Sequence, residues 1–183
     1  MKALKLFLLV SVIFLSLSQS VFAKRIKTWQ DYLSQNEGTT KIYVEDFINS
    51  SDDKALNIGD LKKALTTALS DRITHKFIPV DSASKADIIL EGDIVEYLWT
   101  DKDPVDEIYA AGAALKDAMT EDDYARMKVN LILKYVPTGQ IIWNQSVKST
   151  ITDTDMPEAE SYSRTNEHFS KVFLRQLFKK PKK

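Results

Sequence analysis

Residues 124–152, YARMKVNLILKYVPTGQIIWNQSVKSTIT, narrow the possible folds more than any other stretch, because apolar and polar side chains alternate along them with a period of two. Ala125, Met127, Val129, Leu131, Leu133 and Tyr135 fall on one face, and Arg126, Lys128, Asn130, Ile132 and Lys134 on the other. After the turn signal VPTGQ the alternation resumes, with Ile141, Trp143, Val147 and Ile151 set against Ile142, Asn144, Ser146, Lys148 and Thr150. This pattern predicts an antiparallel hairpin with one apolar face and one polar, basic face.

A sheet of that kind needs a layer over its apolar side, and the chain supplies amphipathic helices. In ALNIGDLKKALTTALSDRI, Ile58, Leu61, Leu65, Ala68 and Leu69 recur at helical steps, with Asn57 as N-cap and Asp60 in the first turn. A last helix is entered at Pro157, with Tyr162, Phe169, Val172, Phe173 and Leu177 as its buried stripe. Further strands are expected at 40–49, at 76–81 with Pro79 marking an edge or a strand end, and at 86–99, where Gly92 marks a bulge or the close approach of a helix. Between 86–99 and the hairpin, Val105, Ile108, Tyr109, Gly112, Leu115 and Met119 suit an inserted helix over 104–123. The expected fold is α+β: a two-layer sandwich of a mixed, mostly antiparallel sheet with two amphipathic helices on one face and an inserted helix between strands. The single domain runs over 40–178, preceded by a segment at 24–39 that is a docking helix or a lead-in, and followed by a basic tail at 179–183.

Residues 1–23 follow the plan of a secretory signal peptide: Lys2 and Lys5, an apolar run from Leu6 to Leu17, and a small residue at Ala23. Export to the periplasm is expected, with cleavage after Ala23 or, as the alternative, retention of the segment as an N-terminal anchor, and with the protein peripheral to the outer membrane. The chain has no Cys, so neither a disulfide nor a thiolate metal site supports it. Without the leader, 23 basic residues face 26 acidic ones, a balance that gives no footprint for nucleic acid.

Motifs that could carry chemistry reduce to structural readings. Glu91 and Asp93 share a face of the 86–99 strand, the same open face as Arg126, Lys128, Lys134 and Lys148, and read as part of an ion-paired surface. SASK at 82–85 spells the S-x-x-K of penicillin-binding proteins but lies between two strands, without that site's partners. His75 and His168 read as surface or helix-end groups, and the acids of DKDPVDE at 101–107 as a solvated loop. No enzyme, cofactor or metal is expected.

The phrases IYVEDFINSS, FIPVDSASKADIILEGDIVEY and YVPTGQIIWNQSV resemble small exported α/β domains of bacterial envelope biogenesis. One such group is the lipopolysaccharide-assembly lipoprotein family, which partners an outer-membrane barrel. Another comprises the penicillin-binding-protein activator lipoproteins, the curli secretion lipoproteins and the N-terminal domain of TolB. The resemblance implies a non-enzymatic accessory factor that binds an outer-membrane or periplasmic protein, or an anionic glycolipid, with Arg126, Lys128, Lys134 and Lys148 as candidate binding residues. The alternative is a protein-binding regulator or secretion subunit. The chain departs from both lipoprotein groups in lacking an acylated Cys after the leader, and the 104–123 insertion maps onto neither.

Overall fold

A computed structural model describes residues 26–36, 38–54, 56–100, 124–152 and 157–179. The expected signal peptide, the inserted helix, the acidic loop and all of the basic tail but Lys179 lie outside them. In chain order the elements are α1 (Trp29–Gln35), β1 (Thr39–Val44), β2 (Ile48–Asn49), α2 (Ile58–Ser70), β3 (Lys76–Pro79), a 3-10 turn (Ala83–Lys85), β4 (Ile88–Thr100), β5 (Tyr124–Tyr135), β6 (Gln140–Thr152) and α3 (Glu158–Leu177).

The strands form one sheet in the order β3-β1-β4-β5-β6, with β2 also on β4. β1 lies parallel to β3 and to β4, because α2 carries the chain from β1 across to β3. β4, β5 and β6 form a long antiparallel meander, turned at its second corner by Gly139 at φ 66°. The helices cover one face, α2 over β1 and β3, α3 over β5 and β6. Between the layers lie Ile42 and Val44 of β1, Ile88, Leu90 and Ile94 of β4, and Met127 to Leu133 of β5 at alternate positions. Leu61, Leu65 and Leu69 of α2 and Phe169, Phe173 and Leu177 of α3 close the core from above. Asn57 caps α2 by accepting from the Gly59 amide, as its position in the sequence predicts.

The segment before the first strand is the docking helix rather than a mere lead-in. Thr28 and Asp31 form a reciprocal capping box at the start of α1. Trp29 and Tyr32 are both buried, their rings stacked 5.3 Å apart, and Trp29 also meets Phe77 and Phe178.

Four local expectations are corrected. The strand expected at 40–49 breaks after Val44, because Phe47 turns inward and fills the space that Gly92 leaves; a Cβ on Gly92 would lie 2.1 Å from that ring. Gly92 is therefore the seat of an aromatic ring, and the β4 irregularity falls between Ile94 and Glu96. The β5–β6 register shifts between Leu133 and Lys134, and this exchanges two isoleucines: Ile142 is buried, while Ile141, expected in the core, is 45% exposed. On α3 the buried stripe includes Ser161, Thr165, Asn166 and Ser170, while Tyr162 and Val172 are only partly buried.

Candidate functional site: the open face of the sheet

The face of the sheet opposite the helices carries the four basic residues singled out in the sequence. Pairing across β4, β5 and β6 arranges it in rows. Ile89, Lys134 and Ile141 form one row, with Tyr43 of β1 beside Ile89. Glu91, Ile132 and Asn144 form the next, then Asp93, Asn130 and Ser146, with Ile48 of β2 beside Asp93. Beyond the irregularity in β4 come Glu96, Lys128 and Lys148, and then Leu98, Arg126 and Thr150.

Within these rows the charges are ordered. Lys134 donates to the Glu91 carboxylate, and the Arg126 Nε–H to that of Glu96. Each side chain in both pairs is about one-third exposed, so water screens the attraction and its net worth is under about 1 kcal/mol per pair. The acids of β4 are thus members of a charged surface, and Glu91 and Asp93 do not converge on a dry pocket. Asp93 Oδ1 is nevertheless shielded from water without a hydrogen-bond partner. Among the charged groups stand apolar side chains open to solvent: Ile48 is 64% exposed, Ile141 45% and, at the β3 edge, Ile78 40%. The basic ladder of the sequence reading is therefore a mixed face on which Arg126 and Lys134 are neutralised locally.

Other chemistry proposed by residue type is placed elsewhere. In the SASK segment Ser82 Oγ meets Ser84 Oγ at 3.3 Å, while Lys85 turns to Asp81 at 2.9 Å on the exposed surface. That arrangement gives no Ser–Lys couple. His168 Nδ1 lies 2.7 Å from Ser149 Oγ, but Ser149 is buried under α3, where a substrate has no approach. Among the described residues no group of three or more His, Cys, Asp or Glu could hold a metal ion, and no helix is long and apolar enough to cross a membrane.

His75 corrects a sequence expectation: it is a core residue, not a surface one, and only 6% exposed. It lies among Trp29, Phe77 and Phe178, and Nε2 is 2.7 Å from Thr40 Oγ1. Thr40 Oγ1 accepts from the Tyr32 hydroxyl and makes a second hydrogen bond with His75 Nε2, whose direction follows the imidazole tautomer. Burial, helped by the Arg72 guanidinium, holds the imidazole below its ordinary pKa, and burial also raises the Tyr32 hydroxyl. The signal was present in THKF, since His75 precedes Phe77 by two and so shares its inward face. Sequence reasoning also missed a groove of about 650 Å³ between α2 and α3, lined by small and polar side chains such as Ala64, Thr67, Ser163 and Asn166.

No protein-family model and no curated protein matches the chain. Solved structures do. A hypothetical protein from Chlamydia trachomatis shares 8% identity over 78% of this chain and 96% of its own, with a TM-score of 0.51. A DUF330 protein from Xanthomonas campestris shares 9% over 77% and 85%, also at 0.51. The PelC dodecamer from Paraburkholderia phytofirmans shares 11% over 73% and 88%, at 0.49. At such identities the likeness to the first two is one of fold alone.

Proposed function

We propose that the chain is an exported, non-enzymatic accessory factor of the bacterial cell envelope, which works by presenting the open face of its sheet to a protein partner. The observation that carries this reading is the composition of that face. Exposed Ile48, Ile78 and Ile141 share the face with two ion pairs, Arg126–Glu96 and Lys134–Glu91, whose charges are satisfied in place. A surface of this kind offers apolar area at low desolvation cost and keeps a charged rim, as protein interfaces do. The local ion pairs support binding over catalysis, because an acid held by a cation is not poised to move protons at neutral pH.

The resemblance of the strand phrases supports the finer reading, an outer-membrane assembly factor of the lipopolysaccharide-assembly type. The leader-like residues 1–23 support export to the periplasm. The test is site-specific photocrosslinking in living cells, with a photoreactive residue at Ile78 or Ile141 on the open face and at Lys63 on α2 as the control. Capture of an outer-membrane barrel from the two sheet positions is the expected result. Capture of a peptidoglycan synthase or of a second copy would move the assignment to the regulator class. Crosslinks from Lys63 alone would overturn the role of the open face.

A further inference from the structure

The four basic side chains of the open face fall into two kinds. Arg126 and Lys134 hold carboxylates. Lys128 and Lys148 hold none, and no ion pair among the described residues involves either. Yet they stand directly opposite each other on β5 and β6. Side chains so placed have Cβ atoms about 5 Å apart, and like charges there repel. Glu96 completes the row on the other side of Lys128, but its carboxylate goes to Arg126. Asp93, diagonal to Lys128, forms no ion pair with it.

The flanking rows on β5 and β6 add neutral hydrogen-bonding groups. Asn130 faces Ser146 on one side of the lysine row, and Thr150 faces Arg126 on the other. Lys148 is exposed and Lys128 half-buried, so the row is open to a ligand. Two adjacent ammonium groups, flanked by two hydroxyls and an amide, match a group that carries close to two negative charges on several acceptor oxygens. A carboxylate offers one charge and two oxygens, whereas a phosphate ester offers about −1.5 to −2 and three. Lysine meets phosphate as a point charge and needs no fixed planar geometry.

We propose that Lys128 and Lys148 form a phosphate-binding subsite, with Asn130, Ser146 and Thr150 as its neutral partners. The inference rests on the reading of the open face as the working surface and adds the chemistry that this corner of it takes. Two sources share that chemistry, a lipid headgroup and a soluble phosphate ester.

The experiment uses the exported protein purified from cells. Its binding to vesicles containing phosphatidic acid, whose headgroup is a phosphomonoester, is measured by flotation against phosphatidylcholine alone, and its binding to inorganic pyrophosphate by calorimetry. Wild type, the double variant Lys128→Gln/Lys148→Gln and the single variant Lys134→Gln are compared. The double variant is expected to lose about 30-fold in affinity, at the known strength of a lysine near an anionic surface, while Lys134→Gln changes it little. Binding to vesicles alone assigns the site to a headgroup, and binding to pyrophosphate alone assigns it to a soluble ester. A loss of about 5-fold in Lys134→Gln, the share of one removed charge, would overturn the subsite in favour of a diffuse field. No binding of the wild type to either probe would also overturn it, leaving Lys148 as a guard of an edge strand. Crosslinking from Ile141 in the double variant separates the two readings. If partner capture persists while both probes fail, only the phosphate subsite falls.

Discussion

Two residues illustrate how single side chains decide this fold. Gly92 is required by its neighbours: Phe47 and Leu131 occupy the space a methyl group would need, the ring at 2.1 Å and Leu131 Cδ2 at 2.9 Å. Gly92→Ala should therefore cost about 1–3 kcal/mol in a urea titration, and less when combined with Phe47→Leu than the two single costs added. His75 acts through its charge state. Its folded pKa lies below the unfolded value of 6.5, so the fold favours the neutral ring. Above that value both states are neutral and the contribution is complete. As the pH falls through it, the unfolded chain takes up the proton first and stability declines until the folded pKa is reached. The urea midpoint should fall on acidification from neutrality, before the carboxylates titrate, and His75→Gln should flatten that slope. Neither role was legible as such. Gly92 was flagged as a close approach, but the approaching group comes from a segment that reads as continuous strand.

Elements were more legible than residues, because a period is an average over many positions. Leu61, Leu65 and Leu69 of the α2 stripe, its Asn57 cap and the entry to α3 at Pro157 stand where the sequence places them, while Ile58 and Ala68 are only partly buried. Asn57→Ala should lower stability by about 1 kcal/mol, the usual cost of an N-cap, with the loss read from thermal unfolding. Periodicity failed where a strand slips by one. The register shift at Leu133 and Lys134 sends Ile141 out and Ile142 in, and no pattern in IIW distinguishes the two isoleucines. It also understated α1, a helix of seven residues whose weight in the core comes from two aromatic rings rather than from a long stripe.

At the scale of the whole molecule, the layer order and the open face followed from patterning, because amphipathic helices and a one-sided sheet have few ways to combine. The candidate site was legible only in part. Composition showed that Arg126, Lys128, Lys134 and Lys148 share a face, but their division into satisfied and unsatisfied pairs depends on β4, which comes from elsewhere in the chain. The same strand joins two unlike halves. Toward β5 it makes twelve register pairs, while toward β1 and β2 it makes three and two. Native-state hydrogen exchange should therefore resolve two cooperative units. Amides of β1 and β3 should exchange through a partial opening at low denaturant, while those of β5 wait for global unfolding. A single common opening energy for both sets would mean that α2 and α3 weld the halves together. With two units, the β4–β6 meander, which bears the lysine row, would outlast the opening of the first half of the sheet.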